Sequence, residues 1–569
     1  MIDRHNYTYS FEPKYDWSAN YSGSREIFTY FKDFINKYEL NEYIKCNHEI
    51  VGAKWQEDKS SWNVTIKGPD GQTFDQECDF LISGAGILNN WRWPGIPGLK
   101  SFKGELVHSA NWDDKLDVTG KHVGLIGNGS SGIQILPQMQ KYAPTTIICC
   151  NVLWLTLLSR KAKFVTTFLR EATWVSPPVG MEYHAYTEEE KAEFRNNPQT
   201  LLEKRKQNEL AAAKIFPLFL QGTDTHKSTT EYVKGSMIEK LGGHHLTEKL
   251  VPDFALGCRR LTVSIPTIIM RDDINADNVS LMQPGTNYLE CYNKDNVNAL
   301  YCEISKVVPE GCVTDDGKLH ELDVLICATG FDTTFKPRFP LLGVGGKNLQ
   351  DEWAEEPRSY LGLAASGYPN YFMYLGPNCP IGNGPIIFSI ECQGEYMSLL
   401  MNRWQKEDIA SFDPKKDAVD DFMYQKDLFM DATVWKTDCL SWYKDPKTKR
   451  ITALWPGSTP HYLEALSQPR YDDFDVKYNG RRFAYFGMGI SQLELDPTAD
   501  CAYYIRNSDD KQPLFRSLQS TFNAKNIDSI YSSGAGNGLD TFDQEDRNEA
   551  ALLKATGDHV DHKVDVEKK

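Results

Sequence analysis

Hydrophobic and polar positions alternate along the chain with two different periods. The segment 21–40 has helical spacing and predicts a turn followed by an amphipathic helix. The apolar positions of that helix are Ile27, Tyr30, Phe31, Phe34 and Ile35. Residues 61–83 then give two alternating runs around a Pro-Asp-Gly turn and a short apolar strand that ends in small residues. The first part of the chain is therefore predicted to be a helix followed by a strand-rich block.

The pattern changes at Lys121 to a strand, a glycine turn and a helix, in the segment KHVGLIGNGSSGIQILPQMQ. Residues from about 187 to 250 are charged and helical, which predicts an inserted helical subdomain that largely faces solvent. A second strand and turn, ELDVLICATGFD, ends at Asp332. Strands that alternate with helices in this way are typical of an α/β fold with a parallel sheet.

Length and charge extend this picture to more than one domain. A chain of 569 residues with 41% hydrophobic and 25% charged positions can bury a large core, so two or three domains are expected. The formal charge of −16 argues against a nucleic-acid partner, which would need a basic surface. The longest apolar stretch, residues 145–158, is too short to span a bilayer, so no transmembrane segment is predicted.

The cysteines indicate neither a metal site nor a redox motif. The thirteen cysteines include no CxxC pair and no His/Cys cluster at zinc spacing. The polar, aromatic N-terminus resembles neither a secretory signal nor an organelle presequence. We therefore expect reduced thiols, no bound metal and a cytoplasmic location.

The glycine turn after Lys121 is the strongest local candidate for cofactor binding. Gly127 permits a tight turn, Gly129 lets the backbone approach a pyrophosphate, and Gly132 allows the helix to pack closely on the strand. The N-terminus of the helix then faces the anion. The strand-to-helix setting favours dinucleotide binding over a purely structural turn. The predicted cofactor-binding residues here are Gly127, Asn128, Gly129, Ser130, Ser131, Gly132 and Gln134.

The next predicted strand, in KFVTTFLREATW, indicates which nicotinamide cofactor binds. An NAD site carries an acidic residue at the end of this strand to hold the ribose hydroxyls. Here Arg170 offers a fork of donors suited to a 2′-phosphate, which favours NADPH. The alternative is a surface arginine that follows a strand.

A longer motif lies just before the glycine turn and carries a family resemblance. The segment FKGELVHSANWD fits the pattern FxGxxxHxxxW followed by Asp, with its fixed positions at Phe102, Gly104, His108, Trp112 and Asp113. This pattern is similar to the fingerprint of Baeyer–Villiger monooxygenases, which are class B flavoprotein monooxygenases. Relatives that oxidise nitrogen and sulfur usually have Tyr or Phe in place of Trp112. In this family His108 is expected to couple domain motion to cofactor binding, although a lone histidine is more often a core residue.

The resemblance extends from His5 to about Arg506 through many ordered segments, among them HNYTYSFEP, TWVSPP, GCRRLT, ATGFD, SWYKD and ALWPGSTPHYLEAL. It implies an α/β fold of two Rossmann-like, glutathione-reductase-like dinucleotide-binding domains with a helical insertion. It also implies that FAD, NADPH and O2 are used to convert a ketone into an ester or lactone. A bulky secondary metabolite or steroid-like ketone, in a fungal secondary pathway, is the expected substrate.

Further site residues are implied by the same resemblance. Because negative charge develops on the reacting oxygen atoms, such an enzyme needs a cation beside them. Arg260 in GCRRLT resembles the catalytic arginine, and Arg259 resembles the basic neighbour that grips the NADPH phosphate. The alternative for two adjacent arginines is a solvated loop. Asp332, which resembles a residue of the cofactor cleft, and Trp442, which resembles one beside the active site, are also expected to be catalytic. Thr329 and Gly330 are expected to bind the cofactor.

Two features depart from the family pattern. The family opens with an FAD-binding strand and GxGxxG, whereas this chain starts at a later motif, so a first βαβ unit is expected to be missing. A block of 21 residues at 263–283 interrupts the segment after GCRRLT, and a second block at about 144–162 precedes the strand that leads to Arg170. We interpret the first block as a retained in-frame intron, and the second as a weaker case of the same kind.

The predicted domain division follows from these segments. Residues 1–115 are the remainder of the FAD domain, and 116–325 form the NADP domain with its insertion at about 187–250. Residues 326–510 complete the FAD domain and cover the substrate site, and 511–569 form a tail that is predicted to be disordered.

Other functions stay open. The same fold could oxidise sulfur or nitrogen, or the chain could be an inactive NADP-binding fragment of such an enzyme. A disulfide reductase is disfavoured by the missing CxxC. The sequence does not indicate the oligomeric state.

Overall fold

A computed structural model of the chain describes residues 3–140, 162–177, 183–263, 287–380 and 382–505. The suspected inserts at about 144–162 and 263–283 lie outside the described residues, apart from one border residue of each. The tail at 511–569 lies outside them as well.

The four longest described α-helices lie in the insertion and in the C-terminal third of the chain. The described α-helices are α1 (Ser24–Lys37), α2 (Ser130–Gln140), α3 (Glu188–Asn196), α4 (Pro198–Lys214), α5 (Asp224–Leu241), α6 (Thr247–Leu250), α7 (Tyr288–Cys291), α8 (Leu349–Glu352), α9 (Ile386–Lys406), α10 (Lys416–Asp431), α11 (Thr459–Ala465) and α12 (Gln492–Leu495). The predicted amphipathic helix at 21–40 is confirmed as α1.

The described strands are mostly two to eight residues long. They are β1 (Glu49–Gln56), β2 (Ser61–Lys67), β3 (Thr73–Cys78), β4 (Leu81–Ser83), β5 (Glu105–His108), β6 (His122–Ile126), β7 (Phe164–Leu169), β8 (Val175–Ser176), β9 (Thr262–Val263), β10 (Val297–Tyr301), β11 (Ile304–Val308), β12 (Gly311–Thr314), β13 (Leu319–Glu321), β14 (Val324–Cys327), β15 (Leu341–Leu342), β16 (Tyr371–Met373), β17 (Ile409–Pro414) and β18 (Phe474–Tyr478).

A parallel five-stranded sheet positions the glycine turn. Its strand order is β10-β7-β6-β14-β5, and β6 pairs with β7 on one side and with β14 on the other. The four residues of β14 are buried, as are the last four of β6. Such near-continuous apolar runs are required because a parallel sheet is covered on both faces. The carboxyl ends of β6, β7 and β14 therefore meet at one edge, where ligands bind in folds of this kind.

The first strand of this sheet comes earlier in the chain than the predicted division at residue 115. β5 carries the first part of the fingerprint and pairs with β14, with Glu105 opposite Val324 and His108 opposite Cys327. The sheet that includes the glycine turn thus begins at residue 105, within the segment predicted to belong to the FAD domain. This pairing brings His108 next to the turn after β14, where its Nε2 lies 3.3 Å from Thr329 Oγ1.

The other sheets are small. β1, β2 and β3 form an antiparallel meander that β15 extends in parallel to β1. β11, β12 and β13 form a second antiparallel meander, and β17 pairs with β18. β4 pairs in parallel with β16, as Tyr371 opposite Leu81. This last pair places the small residues that follow β4 at a strand end, as the sequence predicts.

The helical insertion is confirmed, but it is more deeply packed than predicted. Val233, Met237 and Leu241 of α5 have no exposed surface and join the core of the five-stranded sheet. At the N-terminal end of the chain, the buried Asn6 donates to the backbone carbonyl of Arg205 in α4 at 2.9 Å. The HNYTYSFEP motif therefore packs against the insertion.

Residues 486–569 form a separate compact unit, which is described up to residue 505. Its short helix α12 begins with a capping box, in which the side chains of Ser491 and Glu494 each bind the backbone of the other.

Candidate cofactor and active site

The glycine turn between β6 and α2 has the geometry of a phosphate cradle. Gly127 has φ 99°, and a Cβ there would lie 2.6 Å from the carbonyl oxygen of Ala328. A Cβ at Gly132 would lie 2.1 Å from the carbonyl oxygen of Gly127. At Gly129 a Cβ would meet no atom within 4 Å. The outer glycines are therefore needed for packing, while the middle glycine leaves space beside the N-terminus of α2 where an anion can bind.

The polar side chains of the turn form hydrogen bonds that stabilise the turn, and its outer side stays accessible to solvent. Gln134 in α2 donates to the backbone carbonyl of Ser130 at 2.7 Å. Asn128 donates from Nδ2 to the backbone carbonyl of Glu171 at 2.8 Å. Ser130 is exposed and Ser131 is half-buried. The turn is thus linked to the residues that follow β7.

Arg170 lies immediately after β7, at the carboxyl edge of the sheet, and is exposed. Since β7 is the parallel neighbour of β6, Arg170 lies on the side where the second strand of a dinucleotide site meets the ribose. Glu171 follows it directly, and its carboxylate contacts the arginine loop.

The arginine loop, residues 257–260, presents its two arginines in different ways. Arg259 is largely buried, with 17% of its side chain exposed, and its Nη1 donates to Glu171 Oε2 at 2.8 Å. Its Nη2 donates to the carbonyl of Ala172 and the hydroxyl of Thr173. Burial lowers the pKa of Arg259, and the charge of Glu171 opposes that shift. Its Nε is buried and has no partner among the described residues.

Arg260 is exposed and forms no ion pair with the residues that the structure describes. Its charge acts on Tyr443. Burial raises the pKa of Tyr443 to about 12, and Arg260 opposes that shift. Trp442 packs against Tyr443 with 4.7 Å between ring centroids. The structure therefore brings together Arg260 and the SWYKD motif, which lie far apart in the sequence.

A disulfide joins the arginine loop to the segment 437–444, which we call the Trp442 loop. Cys258 and Cys439 are bonded, with their Cα atoms 6.5 Å apart across a sequence separation of 181 residues. The expectation that all thiols are reduced is wrong for this pair, because only the tertiary contact makes the two sulfurs neighbours. Lys444 Nζ lies 3.4 Å and 3.5 Å from the two sulfurs, and burial lowers its pKa to about 8.

His108 of the fingerprint belongs to a second cluster. Its ring stacks on Trp91 with 4.6 Å between centroids, and its Nε2 lies 3.3 Å from Thr329 Oγ1. The backbone amide of Ala110 donates to Nδ1 at 3.2 Å. Burial lowers the pKa of His108, because the charged imidazolium is poorly solvated there. The histidine thus links β5 to the turn after β14.

The other fingerprint residues are structural in the described contacts. A Cβ at Gly104 would lie 2.3 Å from the carbonyl oxygen of Asp323, and Phe102 is 9% exposed. Trp112 is half-buried against the core of the five-stranded sheet, and Asp113 Oδ1 accepts from the amide of Lys115 at 2.8 Å. These contacts explain why glycine and an aromatic residue are required at the first two positions.

Asp332 and Gly330 lie with the His108 cluster. The amide of Asp332 donates to the carbonyl of Asn90 at 2.7 Å, and its Oδ1 accepts from the amide of Thr334 at 3.1 Å. Gly330 has φ 85° with open space around it. No described hydrogen bond or ion pair connects Asp332 with Arg260.

The described residues contain no group of His, Cys, Asp and Glu side chains that could hold a metal ion. None of the described helices is both long enough and apolar enough to cross a membrane.

The parallel sheet and its glycine cradle define a dinucleotide-binding protein, and comparison with known proteins narrows the class. A model of the flavin-binding monooxygenase-like family matches residues 4–164. The FAD-binding monooxygenase tazF of Aspergillus terreus is 34% identical over 514 residues, which cover 88% of this chain and 84% of that protein. The FAD-binding monooxygenase moxY of Dothistroma septosporum is 32% identical over 547 residues, 94% of this chain and 79% of that protein.

The chain therefore belongs to the FAD-binding monooxygenase family, in the class B flavoprotein monooxygenases. The predicted class of enzyme is confirmed.

Solved structures agree on the fold. A structure of OTEMO in complex with FAD and NADP is 24% identical with a TM-score of 0.67, and it covers 84% of this chain and 90% of that chain. Cyclohexanone monooxygenase from Rhodococcus sp. Phi1 bound to NADP+ is 23% identical with a TM-score of 0.66 and the same coverage. The predicted fold class, with two dinucleotide-binding domains, is confirmed. The missing first βαβ unit stays a prediction.

Sequence reasoning missed three contributors to the site. Glu171 was not predicted as a site residue, because Arg170 beside it already accounts for the cofactor preference. The Cys258–Cys439 bond and the Trp91–His108 stack join residues that no local motif connects. The tryptophans of the WRWP segment, which lies shortly before the fingerprint, could have indicated the second.

Proposed function

We propose that this monooxygenase catalyses Baeyer–Villiger oxidation, in which one oxygen atom is inserted between a ketone carbonyl and a neighbouring carbon. The observation that carries the proposal is Arg260, an exposed guanidinium without a carboxylate partner among the described residues, whose charge acts on the buried Tyr443 next to Trp442. FAD, NADPH and O2 together supply the reducing electrons and the inserted oxygen. The product is an ester or lactone.

NADPH fits the residues at the carboxyl edge of the five-stranded sheet. The open space at Gly129 and the N-terminus of α2 accept the pyrophosphate. The exposed Arg170 provides donors for the 2′-phosphate. Arg259 adds a second cation whose buried Nε has no described partner.

FAD fits the residues that follow β4. Gly84 and Gly86 come directly after this strand, and a Cβ at either position would meet no atom within 4 Å. Gly86 has φ 70°, a conformation that side chains disfavour. We propose that this strand end and the segment around Thr329 and Gly330 line the flavin site.

Arg260 stabilises the negative charge that develops on the substrate carbonyl oxygen. Such a preorganised cation contributes most where water is excluded. We propose that Trp442, which packs against the buried Tyr443, helps to exclude water when substrate is bound. Because the pKa of Tyr443 is raised to about 12, its hydroxyl stays protonated at pH 7 and can donate a hydrogen bond.

We propose the same order of domains as the sequence indicates, with boundaries moved to the ends of the five-stranded sheet. The NADP domain starts at β5 instead of after residue 115 and ends after β14, because both strands belong to its sheet. The residues before β5 and those from 328 to 485 form the FAD domain and the substrate site. A cytoplasmic location is part of the proposal.

Product analysis with isotopic oxygen tests the reaction. The purified chain is supplied with FAD, NADPH and 18O2, together with cyclic and linear ketones, a bulky steroid-like ketone and an aryl methyl sulfide. Esters or lactones that carry one 18O atom are expected. Sulfoxide formation without any ester would contradict the proposal and favour heteroatom oxidation. NADPH binding without either product would favour an inactive fragment.

A further inference from the structure

Glu171 occupies the place that selects the nicotinamide cofactor in dinucleotide-binding folds. It follows the second strand of the glycine-turn unit, and its backbone carbonyl accepts from Asn128 of that turn at 2.8 Å. A carboxylate at this position binds the ribose hydroxyls of NAD and repels the 2′-phosphate of NADP. Yet Arg170, immediately before it, is suited to the phosphate. Glu171 therefore indicates NAD, whereas Arg170 indicates NADP.

The structure resolves this conflict through Arg259. Glu171 Oε2 accepts from Arg259 Nη1 at 2.8 Å, and Glu171 Oε1 accepts from the amide of Leu440 at 3.3 Å. Both carboxylate oxygens are thus engaged by the arginine loop and the Trp442 loop. The pair is poorly exposed, with 17% of the Arg259 side chain and 25% of the Glu171 side chain accessible. A shielded pair of this kind keeps most of its attraction.

We propose that Glu171 is a latent NADH determinant, which Arg259 neutralises so that the site accepts NADPH. The inference rests on the proposed NADPH-dependent function and deepens it. With the pair intact, Arg170 and Arg259 outweigh the single carboxylate, and the local charge favours the phosphate. Without Arg259, the carboxylate of Glu171 is released from its ion pair at the place where a ribose 2′-hydroxyl binds.

Apart from its sequence neighbour Arg170, Lys444 is a further cation near Glu171, and it does not replace Arg259. Its charge reaches Glu171 only as a minor contribution. Its amine donates to the carbonyl of Thr437, and among the described residues it forms no ion pair with Glu171. Removal of Arg259 therefore leaves Glu171 without an ion-pair partner among the described residues.

Direct binding measurements on the full chain test the inference without turnover. Dissociation constants for NADPH and for NADH are measured by nicotinamide fluorescence. Arg259→Met should weaken NADPH binding by about tenfold or more, the effect of losing a charge-assisted hydrogen bond. The same variant should bind NADH about tenfold more tightly, because Glu171 becomes available to the ribose.

Three control variants separate this role from a merely structural one. Arg259→Lys keeps the charge and should keep the preference for NADPH. Glu171→Gln alone should not gain NADH affinity. The double variant Arg259→Met/Glu171→Gln should lose NADPH affinity without any gain for NADH. If Arg259→Met does not fold by circular dichroism, Arg259→Gln takes its place, since it retains a donor for Ala172 and Thr173.

An Arg259 variant that loses NADPH affinity without gaining NADH affinity would overturn the inference. So would a double variant that gains NADH affinity equally, or a parent protein that prefers NADH. If only the proposed reaction is wrong, the result is different: the cofactor preferences of the Arg259 variants change as expected, but no ketone yields an ester.

Discussion

The glycine turn and the arginine loop carry neighbouring parts of the candidate site, but they are held in different ways. The turn is fixed within six residues, by the φ of Gly127 and the approach of Gly132 to the Gly127 carbonyl. The arginine loop is fixed by partners far away in sequence. The sequence separation is 181 for Cys258 and Cys439 and 88 for Arg259 and Glu171. The binding element is thus locally encoded, and the proposed catalytic element depends on the assembled fold.

Replacement of Arg260 should have the largest effect and should separate the two regions. Under the proposed function, Arg260→Ala should lower kcat for ester formation by about 100- to 1,000-fold, since a preorganised cation at the developing charge is lost. The dissociation constant for NADPH should stay within about twofold, because the glycine turn is unchanged. Product formation by gas chromatography and NADPH fluorescence measure the two values.

Arg25→Ala, on the exposed face of α1, serves as the matched control. A variant at Arg260 that makes ester at the parent rate would remove the arginine loop from catalysis.

Loss of the disulfide should have the next largest effect, on stability. Cys258→Ser should lower the free energy of unfolding by about 2–4 kcal/mol, because the bond closes a long loop in the unfolded chain. Cys46→Ser, at an exposed free cysteine, should change little. Thermal unfolding with and without dithiothreitol checks the assignment, since the reductant should destabilise the parent but not Cys258→Ser. Equal sensitivity of both proteins would contradict it.

The middle and the last glycine of the turn should separate folding from binding. Gly132→Ala places a Cβ against the Gly127 carbonyl and should lower the free energy of unfolding by about 1–3 kcal/mol. Gly129→Ala meets no protein atom and should leave stability unchanged, but it should weaken NADPH binding because the pyrophosphate approaches that backbone. Thermal unfolding and NADPH titration of both variants test this. The prediction is wrong if the two variants behave alike.

The smallest expected effect is a pH dependence in the Trp442 loop. Burial lowers the pKa of Lys444 to about 8, from 10.5 in the unfolded chain. Between these values the unfolded chain binds more protons, so this group makes the free energy of unfolding rise as pH increases from about 8 to 10.5.

Lys444→Met should reduce that rise by about 1 kcal/mol, measured by urea unfolding at pH 8 and pH 10. The exposed Lys447→Met is the control. Parallel curves for the parent and Lys444→Met would show that the amine is not perturbed.

Much of the fold was predictable because its signals are local. The strand, turn and helix from His122 to Gln140 follow from the spacing of apolar residues and glycines, and the structure places them at the predicted positions. The placement of β5 was not predictable in the same way. Its sheet partner β14 lies more than 200 residues later, and a short strand carries no information about which sheet it joins.

The candidate site shows the same division. Arg260 and Trp442 were each identified from a motif, but their common location beside Tyr443 required the fold. Glu171 lies in no motif that points to it, and its proposed role in cofactor selection was inferred from its ion pair with Arg259.

The family, the glycine cradle and the arginine that follows β7 were predictable from residue order, because they depend on backbone conformation within short segments. The fold was needed to show that Arg259 is ion-paired while Arg260 has no ion pair among the described residues, and that Cys258 and Cys439 are bonded. Such properties depend on distances between distant segments, and the electrostatic free energies that follow from them change with burial as much as with residue type.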